Sequence, residues 1–92
     1  MEYYRTDWGF AYADAPEAPL GRIVVSLTES GALLIEHTEV DSSLRGQGVG
    51  RALVMLVVAR ARAEGRAIVP RCPYAARLLA GDPELSSLIA PS

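Results

Sequence analysis

The chain has 92 residues, of which 50% are apolar, and this composition predicts one folded domain over residues 1–92 instead of a disordered chain. A net charge of −2 gives no general attraction to nucleic acid or to an anionic membrane, and the single cysteine excludes an internal disulfide and a cysteine-rich metal site. The longest apolar run, residues 52–59, is shorter than the about 20 residues of a membrane-spanning helix. Because no signal peptide is recognised either, we expect a soluble cytoplasmic protein without a metal ion.

The first half of the chain has the pattern of an antiparallel sheet. Residues 1–7 are polar and aromatic, which predicts a loose lead-in or a short edge strand. Alternating or β-branched residues predict three strands, over residues 8–13, 21–27 and 32–40. Turn residues separate them at 14–19, which includes two prolines, and at 28–31. The first strand carries an aromatic stripe that we assign to the core and not to a ligand platform: Trp8, Phe10 and Tyr12. Together these segments predict an antiparallel meander.

The second half of the chain begins with a predicted helix over residues 48–64. Its first half is apolar on all sides, which predicts deep burial, and its Ala-rich polar tail favours a solvated helix. Gly65 follows at the position where helices end. The valines of residues 53–58 also allow a strand, but the flanking residues favour the helix.

A short strand and a second helix follow. Residues 67–70 form the strand, and the order strand, helix, strand implies a parallel crossover. The second helix covers residues 73–79, begins with Pro73 and is closed by Gly81. Residues 82–85 form a short final turn. We therefore expect an α/β fold in which antiparallel strands and one parallel pair share a mixed sheet.

The stretch between the third strand and the first helix is rich in glycine. Gly46, Gly48 and Gly50 allow a ligand to approach the backbone, and a helix N-terminus offers unpaired amides and partial positive charge to a phosphate. Arg45 adds a charge-assisted contact. A Walker A loop is excluded because the chain has no lysine, and a dinucleotide fingerprint is excluded because Arg51 stands where its third glycine belongs. The alternative is a glycine-rich turn without a ligand.

Three motifs in this order and spacing resemble the small single-domain GNAT-like acetyltransferases, which retain little more than the acetyl-CoA-binding core of the GNAT superfamily. The motifs are HTEV at residues 37–40, LRGQGVG at 44–50 and VPRCPY at 69–74. The likeness covers about residues 33–84. It implies a GNAT-like fold in which acetyl-CoA lies between two splayed parallel strands, and direct acetyl transfer to an unidentified amine, without an acyl-enzyme.

The resemblance also implies a set of cofactor-binding residues, with backbone near residues 38–40 as the oxyanion donor and residues 45–50 as the pyrophosphate loop. The set is Thr38, Val40, Arg45, Gly46, Gln47, Gly48, Val49, Gly50 and Arg51. A non-catalytic acetyl-CoA-binding or CoA-binding module is the alternative function, because the chain has no room for the N-terminal helices that shape the acceptor pocket of larger relatives. A homodimer or another partner would then supply the missing wall, whereas a monomer would leave it open.

Four side chains are candidates for chemistry. Glu39 is either the base or a carboxylate that binds loop amides, and Tyr74 is placed as the acid, although small relatives often have phenylalanine there. His37 is a catalytic candidate or a structural histidine. Cys72 is either a buried hydrophobic residue or a thiolate, because a helix N-terminus and the adjacent Arg71 both lower a thiol pKa.

Overall fold

The structure is a computed structural model that describes residues 1–15 and 18–91. Its strands and helices, in chain order, are β1 (Glu2–Thr6), β2 (Gly9–Ala13), β3 (Gly21–Leu27), β4 (Leu33–Val40), α1 (Val49–Glu64), β5 (Ile68–Pro70), α2 (Pro73–Ala80) and α3 (Pro83–Ser86). A single 3₁₀ turn, Ser42–Leu44, lies between β4 and α1. Pro16 and Glu17 of the predicted turn at residues 14–19 lie outside the described residues.

The strands form one sheet in sequential order from β1 to β5. The first four strands are antiparallel, and β5 is parallel to β4. The predicted meander, the parallel pair and the mixed α/β class are therefore confirmed. Residues 1–7, predicted as a loose lead-in or a short edge strand, contain the edge strand β1. Several predicted boundaries are displaced by one residue. The strand predicted from Trp8, for example, begins at Gly9, because Trp8 lies in the tight turn between β1 and β2, where its carbonyl accepts the N–H of Val25 at 2.7 Å.

Helix α1 covers one face of the sheet. Its fully buried side chains recur at helical spacing and pack in one core with the sheet: Leu53, Val54, Val57, Val58 and Ala61. Burial is confined to this side, since Met55 and Leu56 are only half-buried and Ala59 is exposed. The predicted deep burial of the first half of α1 is thus limited to the side that faces the sheet. The reason is that a single sheet layer can cover only one side of the helix.

The helix ends follow the local chemistry of the sequence. Gly65 takes a left-handed φ of 65° and its N–H closes the last turn of α1 on the carbonyls of Ala61 and Arg62. Pro73 occupies the first turn of α2, and the Asp82 carboxylate caps α3 by accepting the N–H of Glu84 at 2.9 Å. Within the described residues no helix has both the length and the apolarity needed to cross a membrane.

Candidate active site

A β-bulge in β4 decides which side chains reach each face of the sheet. Ile35 pairs with Val25, whereas His37 pairs with the adjacent Val24, so Glu36 is an extra residue on β4. Side chains alternate between faces along a strand, and one extra residue therefore exchanges the faces of every residue that follows. With simple alternation from Ile35, the His37 side chain would face α1. Because of the bulge, it faces the opposite side of the sheet.

After the bulge, neighbouring residues of β4 face opposite sides. Thr38 lies opposite the fully buried Ile23, on the face that α1 covers. Glu39 lies opposite Arg22 on the other face, which it shares with the exposed His37. The sequence motif at residues 37–40 is therefore divided between the two faces of the sheet.

The parallel strands β4 and β5 part after three paired residues. Their pairing covers residues 33–35 of β4, and the Ile35 carbonyl then accepts the N–H of Cys72 at 3.1 Å. Beyond that point β4 continues to Val40, whereas the chain after β5 turns into α2. In the described parts of the chain, no ladder joins residues 36–40 to β5. The predicted splay between two parallel strands is present, and it opens towards the glycine loop.

The glycine loop presents open backbone at the start of α1. Gly46 and Gly48 have left-handed φ angles of 83° and 77°, and a Cβ atom on either would meet nothing within 4 Å. Backbone conformation requires glycine here, and the absence of side chains leaves space above the loop. Gly48 is the N-cap residue of α1 and has no side chain to cap the helix, and the first turn contains no acidic residue.

The amides of the loop are not equivalent. The first helical hydrogen bond of α1 runs from the Ala52 N–H to the Gly48 carbonyl at 3.0 Å, so the three amides at residues 49–51 have no i−4 partner inside the helix. The Gln47 amide instead donates to the Leu44 carbonyl at 3.2 Å. Of the residues predicted to bind the cofactor, Gln47 is thus already using its N–H within the loop.

A cleft of about 320 Å³ lies directly in front of this helix terminus. We call it the loop cleft, and it is lined by Val40, Leu44, Arg45, Gly46, Gly48, Val49, Gly50 and Tyr74. Gly50 has a packing reason to be glycine, because a Cβ there would lie 3.2 Å from the Tyr74 hydroxyl oxygen. The predicted acid is therefore held against the predicted phosphate loop, while its side chain remains 42% exposed.

Cys72 stands at the N-cap of α2 and is 8% exposed. Burial raises the pKa of its thiol, but the nearby Ala75 and Tyr74 amides and the nearby Thr38 hydroxyl and backbone together lower the pKa below its ordinary value. The thiol and Thr38 thus meet across the gap between β4 and β5. The buried Thr38 Oγ1 forms no hydrogen bond with any of the described residues, and the Cys72 thiol forms no capping hydrogen bond with the first turn of α2.

Glu39 occupies a different environment. Its Oε2 accepts from Arg22 through Nη2 at 2.9 Å and Nε at 3.1 Å, and both side chains are about half-exposed. The pair lines a second cleft of about 250 Å³, built from residues 19–22 and 39–41. Arg22 and Asp41 are not among the predicted site residues. The register of β3 and β4 brings Arg22 beside Glu39 from 17 positions away, whereas Asp41 follows Glu39 by two residues.

The predicted site residues therefore fall into two groups. One group surrounds the strand gap and the loop cleft, and contains Thr38, Cys72, Tyr74 and the loop residues. The other lies on the open face and contains His37 and Glu39. Val40 lines both clefts and so marks the boundary between the two groups.

Comparisons with known proteins agree with this fold. The family model of GCN5-related N-acetyl-transferases matches residues 9–88. The solution NMR structure of a GCN5-like protein from Staphylococcus aureus superposes with a TM-score of 0.82 and 26% sequence identity, over 99% of this chain and 89% of that chain. The search of curated proteins finds no match. The matched region contains both groups of site residues.

Proposed function

Because the chain belongs to the GCN5-related N-acetyl-transferase family, whose model matches residues 9–88, we propose that it uses acetyl-CoA to acetylate a primary amine by direct transfer. The family and the fold identify an N-acetyltransferase domain. We propose, beyond this, the cosubstrate, the acceptor and the roles of individual residues.

The observation that carries the proposal is the loop cleft in front of α1. An anionic pyrophosphate needs backbone donors, positive potential and space, and the uncapped helix terminus supplies the first two. Gly46 and Gly48 supply the space, since neither would place a Cβ against any neighbour. Arg45 is exposed at the rim and adds a cation. The residues present therefore fit the diphosphate of CoA, with the amides of residues 48–51 as its donors.

Residues on both sides of β4 take part in the proposed acetyl transfer. Acetyl-CoA supplies an acetyl thioester, whose carbonyl carbon forms the new C–N bond as its C–S bond breaks. Backbone amides of residues 38–40 beside the strand gap are the oxyanion donors. Glu39 accepts the proton that the amine must lose, directly or through a water, and the Tyr74 hydroxyl protonates the departing thiolate.

Steady-state turnover with a panel of amines, with products identified by mass spectrometry, tests this assignment. Glu39→Gln should lower kcat by about 10²–10⁴, the usual contribution of a general base, and leave acetyl-CoA affinity nearly unchanged. Arg22→Gln is the matched control, because it breaks the same ion pair and keeps the carboxylate. Cys72→Ala should change turnover much less than Glu39→Gln.

Two outcomes contradict the proposal in different ways. Full activity of Glu39→Gln together with an inactive, folded Cys72→Ala would indicate an acyl-cysteine route. Wild-type protein that binds acetyl-CoA and acetylates no amine of the panel would indicate a non-catalytic binding module.

A further inference from the structure

The second cleft lies at the ends of two neighbouring strands. Residues 19–22 enter β3 and residues 39–41 leave β4, and together they enclose about 250 Å³. We call it the strand-end cleft. Its two walls are tied together by the Asp41 N–H, which donates to the Leu20 carbonyl at 2.7 Å, and by the ion pair between Arg22 and Glu39. The walls are therefore held in place before any ligand arrives, which reduces the entropic cost of binding.

The charges on this cleft favour a cation. Arg22 contributes +1, Glu39 contributes −1 and Asp41 contributes −1, so the charged lining residues sum to −1. Asp41, like any exposed aspartate, is ionised at neutral pH. The hydrogen bond from the Ser43 amide at 2.9 Å lowers its pKa further below the ordinary value. The Arg22 contacts are both made to Oε2 of Glu39, which leaves Oε1 able to accept a further hydrogen bond.

The remaining walls are apolar, and they adjoin the loop cleft. Pro19, Leu20 and Val40 present hydrocarbon beside the carboxylates, and Val40 is the residue that both clefts share. A ligand with an ammonium group and a short alkyl chain matches this combination of surfaces. Small-molecule pockets are usually about 300–1,000 Å³, so a cleft below that range suits a single alkyl chain and not a bulky ring system.

We propose, on the basis of the function proposed above, that the strand-end cleft binds the acceptor as a primary alkylammonium, with Asp41 and Glu39 around the nitrogen and Leu20 and Val40 along the chain. The ligand chemistry is shared by small aliphatic amines and by the lysine side chain of a peptide. Glu39 then receives the proton from an amine that is already bound beside it, and Asp41 acts as a binding residue.

Calorimetric titration of CoA-saturated protein with butylammonium tests the inference without any turnover. Asp41→Asn keeps an oxygen that caps the Ser43 amide but removes the charge, and should weaken butylammonium binding about fivefold, the upper range for a solvent-accessible ion pair. Arg22→Gln removes the competing cation and should strengthen binding by a similar factor. Glu29→Gln is the control, because it removes a carboxylate from the exposed turn at the opposite end of β3 and β4.

Opposite changes in the two cleft variants, with no change in the control, support the inference, and a purely structural role of either residue would not produce them. Unchanged butylammonium affinity in both variants overturns it, as does equal affinity for uncharged butanol. The CoA dissociation constant, measured separately on each variant without bound CoA, distinguishes failure of this inference from failure of the proposed function, because normal CoA binding leaves the proposed function intact. Displacement of butylammonium by a lysine peptide or by 1,4-diaminobutane shows whether the acceptor is a peptide lysine or a small aliphatic amine.

Discussion

The contact between Gly50 and Tyr74 gives a quantitative test of how the loop cleft is built. A Cβ at Gly50 would lie 3.2–3.3 Å from three atoms of the Tyr74 side chain, closer than the ordinary contact range of 3.4–4 Å. Alanine in a helix is otherwise favoured over glycine by about 0.8–1 kcal/mol. We therefore expect Gly50→Ala to stabilise the protein by about 0.5–1 kcal/mol when Tyr74 is also alanine. In the wild-type background the displaced ring should cancel this gain, since an off-rotamer side chain costs about 0.5–1.5 kcal/mol.

Urea denaturation of the four proteins in this double-mutant cycle measures the coupling. The expected coupling energy is about 0.5–1.5 kcal/mol, because residues in contact do not behave additively. Tyr74→Ala alone should have a small effect on stability, since the side chain is 42% exposed. A coupling energy near zero would show that Tyr74 does not pack against Gly50, and would refute the idea that this contact requires glycine at position 50.

Two further predictions concern the loop and the thiol. Arg45→Glu should weaken acetyl-CoA binding, measured by calorimetry, at least about tenfold, because a charged contact is lost. Arg62→Glu makes the same charge change in the last turn of α1 and should not weaken binding. Equal effects of the two variants would assign the loss to net charge. The alkylation rate of Cys72, the chain's only cysteine, should reach its plateau at a lower pH than a free thiol, because its pKa is lowered, and Thr38→Val should move the profile to higher pH. Superimposable profiles for the two proteins would exclude the Thr38 hydroxyl as a partner of the thiol.

The sequence predicted most of the fold because its elements are bounded by local signals. Gly65 ends α1 in the left-handed conformation that only glycine adopts easily, and Pro73 starts α2. The glycine loop was also predictable, since Gly46 and Gly48 are required by the backbone itself. Local chemistry of this kind depends on neighbouring residues and can be recognised without the tertiary structure.

The arrangement of the candidate site could not be predicted in the same way. The bulge at Glu36 depends on how β4 pairs with β3, and no local signal in the sequence marks it. It places Thr38 on the face that α1 covers and Glu39 on the open face, the reverse of what simple alternation from Ile35 would give. The partnership of Arg22 with Glu39 joins residues 17 positions apart and follows only from the strand register. The sequence position of Gly50 predicts that it binds the pyrophosphate. Its closeness to Tyr74 gives it a packing role as well.

The most direct test of the central claim is a titration of ¹⁵N-labelled protein with acetyl-CoA, followed by ¹H–¹⁵N correlation spectra. The proposed site predicts saturable shifts that are largest for the amides of Gly48, Val49, Gly50 and Arg51, with smaller changes at residues 38–40 beside the strand gap. The Gln47 amide should shift less than these, since its N–H is donated to Leu44. The absence of saturable binding, or shifts confined to residues outside the loop and the gap, would contradict the claim that this loop holds the cosubstrate.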